Sequence, residues 1–153
     1  MWVIAMMAAV LAALLSPMLA SRPAQERAIS TASARALAEG MAIYRMAVVD
    51  WVQGQPGFEG VVADTAVAGP AWLRRDPSIR AAVQGRMVAV YLAAEHPPAG
   101  VLAEMLSLAG SSIWVGVAHQ ASGTLHTPGL GDTGLQVPQW VPDQSPVWLA
   151  LRD

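Results

Sequence analysis

At 153 residues the chain has room for one domain with a modest core, and it is more apolar than an ordinary soluble domain, with 54% hydrophobic and only 13% charged residues. The net charge is −2 and the cations are scattered arginines with no lysine, so the concentrated basic surface that nucleic acid demands is missing. There is no cysteine, which excludes disulfides, thiolate metal sites and cysteine nucleophiles together.

The first element is the uncharged run Trp2 to Ala20, WVIAMMAAVLAALLSPMLA. As a helix it spans about 28 Å, close to the hydrocarbon thickness of a bilayer of about 30 Å. A cleaved signal peptide fits less well. No Lys or Arg precedes the apolar run, and a cut after Ala20 would leave the large Met18 at the −3 position. An uncleaved anchor over residues 1–21 is therefore expected, with Pro17 loosening its last turn near the membrane surface. Arg22 and Arg27 follow the span directly, and the positive-inside tendency would hold that side in the cytoplasm.

Residues 22–153 are expected to form one soluble domain that opens with a long helix over 22–53. From Ala24 to Gln53 there is no proline, and Ala34, Leu37, Met41, Tyr44, Val48 and Trp51 recur at alternating steps of three and four, which puts them on one helical face. The Gly54, Pro56, Gly57 cluster ends it.

Residues 58–153 read as mixed helix and antiparallel sheet. Gly60 to Val67 is a short strand or loop. Asp76 and Pro77 suit the cap and first turn of a short helix carrying Ile79, Ala82 and Val83. Met87 to Ala93 is a core strand, and the segment after Pro97-Pro98 is a helix through Leu108 stopped by Gly110. Ser112 to Gln120 and Thr124 to Thr127 form a hairpin about the turn Ala121 to Gly123. Pro128 to Asp143 is mostly loop with a short strand at Leu135 to Val137, and Pro146 to Leu151 is a last strand at the edge or centre of the sheet. The fold class is α+β with an antiparallel sheet.

Candidate chemistry is sparse. His119 and His126 flank the hairpin and can approach each other, with Asp132 the nearby acid and His96 apart, but a typical catalytic zinc needs three convergent ligands. Surface or structural histidines are the expectation. The run Gly129 to Gly134 lacks the Lys-Ser/Thr of a phosphate loop, and Asp132-Thr133-Gly134 lacks the second carboxylate of an aspartic dyad. A glycine-rich turn before a strand is the simpler reading. Arg74-Arg75 is expected to be a solvated surface pair. Of the tryptophans, Trp2 suits a membrane interface, and Trp51, Trp72, Trp114, Trp140 and Trp148 suit the core or a contact. No catalytic, cofactor or metal residue is assigned, and the chain is read as not an enzyme.

The N-terminal span, AIYRMAVVDWV (Ala42 to Val52), GRMVAVYL (Gly85 to Leu92), WVGVAHQASGTLHTP and GDTGLQVPQWVPDQSPVWL together resemble the PilM family of type IVb thin-pilus and conjugative pilus inner-membrane proteins. The resemblance implies a pilin-like layout and a non-enzymatic, single-pass component of a pilus or conjugation apparatus. It also implies the bilayer as partner through residues 2–20, other assembly proteins as further partners, and a periplasmic domain in a bacterial inner membrane. Self-association is left open. The rival readings are a minor pilin or pseudopilin that enters a fibre, and a small periplasmic enzyme. A true pilin subunit is disfavoured because the chain lacks a prepilin-type cleavage start.

Overall fold

The computed structural model describes the backbone of residues 2–68 and 75–152 and the side chains of residues 25–68 and 75–152. One helix, α1 (Trp2–Gln53), runs without a break from the apolar N-terminal stretch into the domain. The expected anchor, residues 1–21, lies outside the residues with described side chains, as do Trp2, Trp72 and Arg74. Among the described residues no helix is long and apolar enough to cross a membrane.

Among the residues of α1 with described side chains, the first fully buried one is Ala34; residues 25–29 and 31–33 are exposed. From there Ala34, Ala38, Met41, Tyr44, Val48 and Val52 are buried in the core shared with the sheet and the segment 101–105, with the expected Leu37 and Trp51 at the margin of the same face. Helical periodicity thus located the face to within one residue's rotation. Gly40 permits close approach, since a Cβ there would stand 3.2 Å from Ile79 Cδ1.

After α1 the chain forms β1 (Gly60–Val61), β2 (Ile79–Gln84), β3 (Met87–Leu92), α2 (Val101–Leu108), β4 (Val115–His119), β5 (Thr124–Thr127), β6 (Gly131–Gln136) and β7 (Pro146–Leu151). The strands make one antiparallel sheet in the order β1-β2-β3-β7-β4-β5-β6. The last strand in sequence is therefore central, with Ala89 opposite Leu149 on one side and Gly116 opposite Val147 on the other.

Three expectations are corrected. Asp76 and Pro77 do not start a helix. The Asp76 carboxylate accepts the Ser78 N–H at 2.9 Å in a tight turn, and Ile79 to Gln84 continue as β2, paired with β3 across the two-residue turn Gly85-Arg86. Ile79, Ala81, Ala82 and Val83 are all buried, because both faces of this strand are covered, and burial on both faces erases the alternation that would have marked a strand. The strand expected at Leu135 to Val137 begins earlier, at Gly131, and the strand expected from Ser112 begins at Val115.

The two faces of the sheet carry two cores. Val83, Val88, Val90, Val115, Trp148 and Ala150 meet α1 and α2. Ala82, Ala89, Tyr91, Ala118, Leu125, Val147 and Leu149 form the other, roofed by Val137 and Val141 of the segment before β7. That roof is tied across the sheet by the Gln139 N–H, which donates to Gln84 Oε1 at 3.0 Å.

Candidate functional site

Antiparallel pairing sets Val117 opposite His126 and His119 opposite Thr124, which brings the two imidazoles to one side of the hairpin. Their rings stack with centroids 4.4 Å apart and planes 17° apart. His126 is the register partner of Asp132, and its Nε2 stands 3.8 Å from Asp132 Oδ2. His119 Nδ1 meets Ser122 Oγ at 3.1 Å. The approach of His119, His126 and Asp132 was thus legible, while His96 sits exposed between β3 and α2. Stacked rings turn their faces rather than their nitrogens to each other, and among the described residues no group of three His, Cys, Asp or Glu is placed to hold a metal ion.

Asp132, Thr133 and Gly134 lie within β6, where the register against β5 slips between Thr124 and His126. Asp132 Oδ1 accepts the Gly134 N–H at 2.9 Å, and Thr133 Oγ1 donates to the Leu125 carbonyl at 2.7 Å. Gly134 takes φ 70°, a conformation glycine adopts without Cβ strain. The tripeptide is a β-bulge whose polar groups are spent on the backbone, not the turn ahead of a strand that its glycines suggested.

Arg75 is not the solvated surface residue expected of it. Its side chain is 17% exposed and its Nη2 stands 2.8 Å from Asp64 Oδ1, while its guanidinium carbon lies 4.4 Å above the Tyr44 ring. Arg80 Nη1 takes the other Asp64 oxygen at 2.6 Å, so one carboxylate bridges two guanidiniums, one of which lies over α1. Burial pushes the Tyr44 hydroxyl above its ordinary range. Arg45 is half-buried at the helix–sheet junction, its Nε donating to the Leu149 carbonyl at 3.2 Å and its guanidinium 5.6 Å from the Trp148 ring. Desolvation lowers its pKa. These cations fasten α1 to the sheet, and dipeptide composition gave no sign of which arginine would be used.

The roof segment is held by Asp143, whose Oδ1 accepts the Gln120 N–H at 2.8 Å. That bond holds its carboxyl below the usual carboxylate range. A depressed carboxylate adds stability above its unfolded pKa of about 3.9, and the contribution is lost as pH falls through the lowered value. Asp143→Asn is therefore expected to unfold at lower urea than the native chain at pH 7, with the two midpoints drawing together as pH falls below about 3.9. A gap unchanged at pH 3 would assign the difference to shape rather than charge.

What remains open is α1. Ile29 is 62% and Met46 57% exposed, and both lie on the side of α1 away from the sheet. Near the domain end of this side, Ile43, Met46, Ala47, Asp50, Trp51, Ala66, Val67 and Ala68 line an open hollow of about 690 Å³. Trp51 is braced by Phe58, ring centroids 5.0 Å apart at 78°. Its lining is apolar apart from the Asp50 carboxylate.

Fold and surface together define a helix-led α+β protein with one seven-stranded antiparallel sheet. The chain belongs to the PilM family, which matches residues 6–149. It is similar in structure to a PilM-named protein from Escherichia coli B7A, with a TM-score of 0.56 at 20% identity, covering 78% of this chain and 93% of that one. A pilM-named protein from Pseudomonas aeruginosa 2192 aligns with a TM-score of 0.45 at 28% identity, over 78% of this chain and 97% of that one. No curated protein matches the chain.

Proposed function

We propose that this protein is a non-enzymatic, single-pass component of the assembly apparatus of a type IV (thin) pilus or conjugation system. Residues 2–20 anchor it in the bacterial inner membrane, and the α+β domain works on the periplasmic side through contacts with other assembly proteins. The reading is supported by membership of a family named for pili. The observation that carries it is the single helix α1, which joins the apolar N-terminal run to a core whose first member among the described side chains is Ala34. A helix surrounded by water on all sides is marginal in isolation, and a bilayer at one end and a domain at the other supply what it lacks. Arg22 and Arg27 oppose a periplasmic domain, so orientation is the point to measure.

Deleting the gene in its native operon is expected to abolish pili and transfer, restored by the full chain. A reporter active only in the periplasm, fused after Asp153, is expected to be active. Intact pili in the deletion strain would overturn the assembly role, an inactive reporter beside an active cytoplasmic one would reverse the orientation, and recovery in sheared pili would favour a minor pilin.

A further inference from the structure

We propose that a groove just past the end of β3 binds the side chain of a lysine carried by another protein, its aliphatic stem on alanine and proline and its ammonium among Glu95, Asp143 and Ser145. The groove lies wholly within the domain, so it stands whether or not residues 2–20 enter a bilayer.

The register of β3 and β7 makes the groove. Tyr91 stands opposite Val147, and both belong to the core beneath the roof. Two residues further out, strand alternation returns Ala93 and Ser145 to that same face. Both lie beyond the paired strands, since β3 ends at Leu92 and β7 begins at Pro146. One limb of chain leaves here through Pro97 and the other arrives through Pro142. They border a hollow of about 290 Å³, at the lower limit of pockets that take a whole small ligand and sufficient for one long side chain. Ala93, Glu95, Pro142 and Asp143 are exposed, so a side chain can enter while its backbone stays outside.

Two independent features set the chemistry. The lining holds the carboxylates of Glu95 and Asp143 and no cation, and among the described residues no basic group lies within 4 Å of either. Ser145 lines the same hollow and is only 5% exposed. Its N–H donates to the Pro142 carbonyl and its own carbonyl accepts the Ala118 N–H, but its hydroxyl bonds to none of the described residues. Buried hydroxyls are ordinarily paired, and this one is left for a donor from outside. The rest of the lining is largely Ala93, Ala94, Pro97 and Pro142, a surface for methylenes rather than for a bare ion.

Lysine fits better than arginine. A guanidinium fork is best met by both oxygens of one carboxylate, and Asp143 Oδ1 is already held by the Gln120 N–H at 2.8 Å. Acceptors spread over three residues suit the three rotatable donors of an ammonium. The chain has no lysine of its own, so a second copy is not the occupant.

The test is a titration of the 15N-labelled full chain, in detergent micelles at pH 7, with Nα-acetyl-lysine N-methylamide. Saturable shifts of the Ala94, Glu95, Gln144 and Ser145 amides are expected, with a Kd of about 1 mM for a ligand of this size. The norleucine analogue keeps the stem without the ammonium and is expected to bind about ten-fold more weakly. The arginine analogue, and n-butylamine as a free amine, are expected to bind more weakly than the blocked lysine. Glu95→Gln and Ser145→Ala should each weaken binding about five-fold, and Asp50→Asn, on α1, should leave it unchanged. Glu95 is exposed, so its variant keeps the fold and reads the site alone. No saturable shift at these amides, equal binding of any of the three analogues, or binding indifferent to Glu95→Gln would overturn the proposal.

Discussion

Gly116→Ala is expected to destabilise the domain by about 3 kcal/mol or more, the upper end of what overpacking a core costs, and to lower Tm by about 10 °C. Gly116 sits in β4 opposite Val147, and a Cβ at this position would come within 2.2 Å of the His126 carbonyl oxygen and 3.1 Å of Leu125 Cγ. The obstacle is backbone, which cannot rotate away. Both neighbours belong to β5, and the bare Cα of Gly116 is what admits that strand so closely. Gly54→Ala is the matched control, because its Cβ would meet nothing nearer than the Trp51 carbonyl at 3.5 Å. Calorimetry on both variants checks the expectation, and equal melting temperatures would show that the β4–β5 crossing relaxes freely.

Leu149→Ala is expected to cost about 3 kcal/mol, within the 2–5 kcal/mol range of buried Leu→Ala changes. Leu149 is fully buried at the centre of the sheet beneath the roof of Val137 and Val141. Its backbone bonds survive truncation, since the Leu149 N–H donates to the Trp114 carbonyl at 2.8 Å and its own carbonyl accepts Arg45 Nε. The loss therefore reports packing alone. Leu151→Ala, two residues on at the exposed end of the same strand with 45% exposure, is expected to change the urea midpoint little. Comparable losses from the two would mean that the roof does not seal the face.

The long helix, α2, the hairpin β4–β5 and the strands β3 and β7 were legible because each has a period, a turn or a breaker that acts locally. β2 was not legible. Its burial on both faces comes from α1 on one side and the roof on the other, and neither is visible from Ile79 to Gln84 alone. The bulge in β6 was hidden for a related reason: Asp132, Thr133 and Gly134 carry turn chemistry, and only their pairing with β5 makes them a strand. The meeting of His119 with His126 followed from the hairpin, whereas the burial of Arg75 against Tyr44 and Asp64 depends on contacts between distant segments, over which a dipeptide has no say. The exposure of Ile29 and Met46 was equally hidden, because which side of α1 faces water depends on what packs on the other.

Comparison of the full chain with one beginning at Gln25 bears most directly on the tethered, contact-making role. The full chain is expected to remain in the membrane pellet after carbonate extraction, and the shortened chain to be released while melting within about 2 °C of the intact domain, since its core begins at Ala34. Full-length protein recovered in the carbonate supernatant, with residues 1–20 still attached by mass spectrometry, would contradict it.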